Sequence, residues 1–325
     1  MCGLQRKILA GLLIIGLALV GFAGMSYAAF PDKPVTVYVG YRAGGSTDVV
    51  ARSFAPFFSK YLGVPVVVKN MPGAGASIAL RHVYKQDPDG YTLVILMLPS
   101  YASRFLFANP SGYDLKKFTL LHGIGGGDGN GIMVPYDSKY KTFRDLLEAS
   151  KKEPLTLAST TPGSNSWVLG TLLKQEAKFK NTYVTFNSGR RATMAVVGGH
   201  VSAGIASTIN FHDLIREKKI IGLGVGTPTR LPYLPDVPTF VELGFPNVVS
   251  VTSSSVMAPP NLPEDRKKIL VDAASKAAHD PEFDKVAKKT GFIVSPDSPE
   301  QVRKNLLDAF AQIEKIIARE KAEKK

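Results

Sequence analysis

Cysteine is all but absent from this chain: its 325 residues include one, Cys2. A single thiol excludes a disulfide framework and a thiolate-ligated metal centre. Histidine is scarce too. The five, His82, His122, His200, His212 and His279, show no His-Glu-x-x-His or other close ligand spacing. Each reads as a surface or packing histidine, so no metal and no cofactor is expected. Acidic residues are the short side of the charge balance. There are 27 Asp plus Glu against 40 Lys plus Arg, a formal net charge of +13. Such an excess points to nucleic acid, an acidic membrane or an anionic ligand. The basic residues are scattered and no RNP, zinc-finger or helix-turn-helix pattern appears, so nucleic acid is not expected. A solvated basic surface explains most of the charge. Catalytic signatures are thin as well. Gly163-Ser164-Asn165-Ser166-Trp167 approaches a nucleophile elbow but lacks the final glycine of Gly-x-Ser-x-Gly. No motif ties a histidine to a serine. An exported hydrolase is therefore the lesser reading, and no catalytic residue is assigned.

Long apolar runs are confined to the N-terminus. Arg6 and Lys7 precede an almost unbroken apolar stretch from Ile8 to Gly24. Ser26-Tyr27-Ala28 then places small residues where a signal peptidase reads. Residues 1–28 are expected to be a signal peptide cleaved after Ala28, with an uncleaved membrane anchor as the alternative. Cys2 lies ahead of the apolar run, whereas a lipoprotein cysteine would follow it. The expected compartment is extracytoplasmic.

The whole sequence is 45% hydrophobic and 21% charged, the composition of a globular protein long enough for two cores. Its pattern repeats as strand, loop, helix. Val35-Thr36-Val37-Tyr38-Val39 reads as a buried strand, and Val50, Phe54, Phe57, Phe58 and Tyr61 recur at helical spacing. Further strands are expected over 64–68, 91–98, 155–158, 183–186, 202–206 and 220–225. Helices are expected over 78–85, 143–151 and 167–176. Thr142 caps the second of these, and Ser298-Pro299-Glu300-Gln301 opens the last helix of the chain. Strands apolar on both faces that alternate with helices predict an α/β fold with doubly wound, mostly parallel sheets. The glycine run from Gly123 to Gly131 reads as a mobile crossover between two units, since no Gly-Lys-Ser/Thr follows to make it a phosphate loop. The divisions expected are 29–131 for the first unit, 132–249 for the second, and 250–325 for a return to the first plus the C-terminal helices.

Three loops stand at strand-to-helix turns, where open α/β sheets bind ligands. Tyr41-Arg42-Ala43-Gly44-Gly45-Ser46-Thr47-Asp48 is the first; the others are residues 160–166 and Asn187-Ser188-Gly189-Arg190-Arg191. Glycine and hydroxyl residues at a helix start bare backbone N–H groups at the positive end of the helix dipole. Arg42, Arg190 and Arg191 can add bidentate bonds to a carboxylate, with Arg191 the one expected to point away.

These segments carry a resemblance. Phe30-Pro31-Asp32-Lys33-Pro34, Ala43-Gly44-Gly45-Ser46-Thr47-Asp48 and Asn70-Met71-Pro72-Gly73-Ala74-Gly75 resemble successive motifs of one family. So do Asp87-Pro88-Asp89-Gly90-Tyr91-Thr92-Leu93 and Leu234-Pro235-Asp236-Val237-Pro238-Thr239. The family is the solute-binding proteins of tripartite tricarboxylate transporters, or Bug receptors. The resemblance covers essentially the whole chain after residue 28. It implies a two-lobed periplasmic binding protein of type II topology with its ligand cleft between the lobes. It also implies a monomer that delivers a small organic anion to the small and large permease subunits. The Ala43-Gly44-Gly45 loop would meet the ligand from one lobe, and Thr161-Pro162-Gly163-Ser164-Asn165-Ser166 from the other. Ser100, Arg190, Ala206 and Ser207 complete the expected contact set. Where the family often places an aspartate able to hold an ammonium, this chain has uncharged Ala206 and Ser207. Arginine stands where proline is frequent, at Arg42. The implied ligand is an acid without an amine: a di- or tricarboxylate, or an aromatic carboxylate given Tyr41 and Trp167. A sensory protein presenting its closed form to a receptor kinase would have the same fold and site.

Overall fold

Alternating valines make the first strand, β1 (Val35–Val39), because Val35, Val37 and Val39 all turn to one buried face. The computed structural model describes residues 30–108 and 112–323; the expected signal peptide lies outside the described residues. From Lys33 onward the chain holds together as one unit. The glycine loop after β1 leads into α1 (Ser46–Leu62), which buries Val50, Phe54 and Phe58 and ends at Gly63, a left-handed residue. Phe57 and Tyr61, assigned by spacing to the same face, are half-buried and exposed.

β2 (Val66–Asn70), α2 (Ser77–Tyr84), β3 (Thr92–Leu98) and α3 (Ser100–Ala108) complete the first βα run. β4 (Thr119–Pro135) follows, then α4 (Phe143–Lys152), β5 (Leu155–Thr160) and α5 (Asn165–Ala177). Next come β6 (Asn181–Phe186), α6 (Gly189–Val197), β7 (Ala203–Ser207), α7 (His212–Arg216) and β8 (Ile220–Val225). β9 (Val251–Ala258), α8 (Glu264–Ala278), α9 (Pro281–Thr290) and α10 (Pro299–Glu323) close the chain. Thr142 does cap α4, in a full capping box with Asp145.

The strands lie in the order β2-β1-β3-β9-β4-β7-β5-β6, with β8 also on β4. Parallel pairs occupy the two ends, β1 with β2 and β3, and β5 with β6 and β7. The centre is antiparallel: β9 pairs with β3 and β4, and β4 pairs with β7 and β8. β4 is the long strand that belongs to both ends.

The glycine run is therefore part of the strand that crosses between the two ends, and not a loop. The reason is close packing. A side chain at Gly123 would come within 2.6 Å of the Ser295 carbonyl, and one at Gly125 within 3.1 Å of Phe292. The Gly123 and Gly126 amides donate to Asp297 and Ile293 at 2.8 and 2.9 Å. Glycine lets residues 292–297 lie directly on β4. The expected unit boundary at 131/132 thus falls inside a continuous strand.

One core gathers Leu80, Leu96, Tyr101 and Phe118 at the β1–β3 end; another gathers Phe143, Leu157, Leu169 and Phe179 at the β5–β6 end. α10 joins both. Its Val302, Leu306 and Phe310 sit in the first core, and its Ile313 and Ile316 in the second.

Candidate functional site

The loops that follow the strands of the two ends face one another across a cavity of about 360 Å³, within the usual range of small-ligand sites. Three helix starts meet there. α1 begins at Gly45, which has no side-chain cap, so its first-turn N–H groups are left for another acceptor. α5 begins after Ser164, whose hydroxyl accepts the Trp167 amide at 3.2 Å. α6 begins after Ser188, whose hydroxyl accepts the Arg191 amide at 3.3 Å. Gly45, Ser46 and Thr47 line the cavity from α1, Ser164, Asn165 and Ser166 from α5, and Ser188 and Gly189 from α6. Three positive dipole ends at one cavity favour an anion.

The charged side chains of the lining are Arg42 and Arg104; none of its residues is acidic. Arg42 is exposed at the rim, whereas Arg104 is half-buried. Four buried polar atoms of lining residues have no hydrogen-bond partner within the described protein: Arg104 Nε, Asn130 Nδ2, Asn165 Oδ1 and Ser207 Oγ. Asn130 is 1% exposed. A buried amide donor left unpaired is costly unless a ligand takes it up.

Most of the expected contact set is brought together. Tyr41, Arg42, Gly45, Ser46, Thr47, Ser100, Thr161, Ser164, Asn165, Ser166, Ala206 and Ser207 all line the cavity. Tyr41 and Ser100 join through a hydrogen bond between their hydroxyls at 3.1 Å. Ser166 is bonded to Ser159, Thr160 and Ser164, so its hydroxyl shapes the loop.

Ala43, Gly44, Asp48, Gly163 and Arg190 are outside the lining. Asp48 is turned away from the cavity. It is 3% exposed and accepts from the Gly44 amide at 2.9 Å, Asn70 Nδ2 at 2.8 Å and Arg52 Nε at 3.0 Å. Burial works to raise its pKa, but the bonds from Gly44, Asn70 and Arg52 outweigh that and hold the carboxyl below the usual range. Its work is to clamp the loop: Gly44 at φ +78° carries the bent backbone. Arg190 is exposed, because it lies one residue into α6 and points off the face that Gly189 presents to Asn210. Trp167 is also outside the lining and packs edge-to-face on Phe107, with ring centroids 4.9 Å apart. Tyr41 and Phe186 are the aromatic liners.

Sequence reasoning missed Arg104, Asn130 and Asn210, and left the Pro72–Ala76 turn out of the site although it lines one wall. α3, which carries Arg104, went unread. Its signal was position: like the other site helices, it directly follows a strand.

The model of the tripartite tricarboxylate transporter family receptor matches residues 50–321 of this chain. The chain belongs to that family. Among its receptors, BugT of Bordetella pertussis is 30% identical over 259 residues, which is 76% of this chain and 78% of BugT. MatC from Rhodopseudomonas palustris, solved with bound malate, matches with TM-score 0.80 and 27% identity over 89% of this chain and 100% of its own. R. palustris Rpa4515, solved with adipate, gives 0.83 and 25% over 88% and 97%. The receptor family is one of periplasmic binding proteins, and the two-lobed α/β architecture expected from the sequence is theirs. Among the described residues no helix is long and apolar enough to cross a membrane.

Proposed function

We propose that the protein is a periplasmic receptor for a small organic acid without an amine, captured between two lobes and handed to the small and large permease subunits of a tripartite tricarboxylate transporter. The observation that carries this reading is the lining itself: two arginines, three helix starts and no Asp or Glu. A ligand ammonium would have no carboxylate to pair with there, whereas a ligand carboxylate meets charge-assisted donors. Malate and adipate, held by MatC and Rpa4515, are amine-free acids and support the same class here. Residues 29–131 and 250–325 form one lobe and 132–249 the other, joined through β4 and braced by α10. A ligand touching both walls shifts the population toward the closed form. Residues 1–28 are the cleaved signal peptide, and the mature receptor is a monomer.

A thermal-shift panel on the protein from Ala29 tests the ligand class. Citrate, C4–C6 dicarboxylates, aromatic carboxylates and amino acids make up the panel. An acid at about 100 times its Kd adds roughly 2.7 kcal/mol of stability, seen as a raised Tm. Stabilisation by amine-free acids is the expected result; stabilisation by amino acids alone would overturn the reading of Ala206. The two loop arginines should then separate. Arg42→Ala is expected to weaken binding of the best acid roughly three- to tenfold, as befits an exposed rim charge. Arg190→Ala should leave calorimetric affinity unchanged, since its side chain is exposed outside the lining.

A further inference from the structure

Arg104 is the half-buried cation of the cavity, and its surroundings fix it in place. Gly75 and Gly163, both at positive φ (61° and 79°), flank the side chain. A Cβ at Gly75 would come within 2.2 Å of Arg104 Cδ and 2.3 Å of Nη1, and one at Gly163 within 3.1 Å of Cγ. A Cβ at Gly75 would displace the guanidinium, and one at Gly163 would press on the Arg104 stem. Among the described residues its hydrogen bonds go to Thr161 alone, to the carbonyl oxygen at 3.4 Å and to Oγ1. Nε is buried and unpartnered. No acidic residue lines the cavity to neutralise it.

Arg104 stands on α3, after β3, while Thr161 belongs to the loop after β5, so the bond spans the two ends of the sheet. Beside it, Phe107 of α3 meets Trp167 of α5. A guanidinium held by close packing, with its Nε buried and unpartnered and no counter-charge in the lining, favours something anionic arriving with the ligand. The other anion position, the uncapped start of α1 beside Arg42, is built from different residues on a different element.

We propose that the ligand carries a second carboxylate and that Arg104 receives it. Arg104 is thereby the residue that selects diacids over monoacids, and its contact with Thr161 couples that selection to closure. This rests on the carboxylate-receptor reading above and adds to it the number of carboxylates and the residue that counts them.

Calorimetric titration of the mature protein tests this with three matched pairs: succinate and butyrate, adipate and hexanoate, terephthalate and benzoate. The wild type should prefer the diacid of at least one pair by tenfold or more. Arg104→Met, which keeps an apolar stem between the glycines, should lose roughly 10- to 150-fold on that diacid. Its monoacid affinity should change less than threefold. Arg104→Lys should recover part of the loss, since it restores the charge without the fork. Equal losses on both acids in Arg104→Met would make Arg104 a closure contact only and overturn the proposal, as would an unchanged ratio. Monoacids bound as tightly as diacids by the wild type would overturn it while leaving the carboxylate receptor intact. No binding of any of the six acids would overturn both.

Discussion

Asp48→Ala is expected to lower unfolding stability by about 2–3 kcal/mol and to weaken ligand binding at the same time. The substitution strips the Gly44 amide, Asn70 Nδ2 and Arg52 Nε of their shared acceptor. Gly44 and Asn70 each lose an acceptor in a part-buried setting, and Asn70 Nδ2 keeps only the Tyr41 carbonyl, at 3.0 Å. The Arg52 side chain is 50% exposed and recovers hydration, which keeps the loss below that of a fully buried pair. Binding suffers because the loop that Asp48 clamps places Arg42, Gly45 and Ser46 at the cavity. Acid titration adds a signature. The folded-state pKa of Asp48 is depressed, so its stabilisation is present above the ordinary carboxylate range and is lost as pH falls through the folded pKa. Chemical denaturation at pH 7 and at pH 3 should show the wild-type advantage over Asp48→Ala shrinking at the lower pH. An advantage that is equal at both would mean that the carboxylate contributes nothing as a charge.

Gly40→Ala should cost roughly 1–3 kcal/mol and reduce affinity by tenfold or more. The added Cβ would lie 2.3 Å from the Ala76 Cβ, 2.8 Å from the Ala76 Cα and 3.1 Å from the Tyr101 hydroxyl. Ala76 has little room to retreat: it is fully buried at φ +79°, and its amide donates to the Gly73 carbonyl at 3.0 Å. Gly40 and Ala76 both line the cavity, so forcing them apart deforms the wall that carries the Pro72–Ala76 turn. The double variant Gly40→Ala/Ala76→Gly relieves the Cβ–Cβ clash and should recover part of the stability. Two effects that simply add in the cycle would contradict a direct contact.

Much of this architecture could be read from local pattern, because each signal lay within one turn or one strand. Val35, Val37 and Val39 declared a buried strand, and Thr142 a helix start. The glycine run misled for the opposite reason. What makes Gly123 and Gly125 necessary is the backbone of residues 292–297, far away in sequence. Arg42 and Arg190 look alike beside their glycines and are both exposed, but Arg42 lies in the loop ahead of α1 and lines the cavity, whereas Arg190 lies within α6 and does not. Asp48 did carry a warning, since Arg52 four residues on is the spacing of an intrahelical ion pair. Arg104 had no local mark. Its meaning comes from Gly75, Gly163 and Thr161, which two separate loops bring to it.

An amine-free acid bound between the two ends of the sheet should draw them together. Small-angle scattering of the mature protein, with and without the acid that most raises its Tm, tests this directly. A smaller radius of gyration is expected at saturating acid, with no change for an amino acid that fails to stabilise. An unchanged radius, with calorimetry showing the site filled, would contradict closure on the ligand.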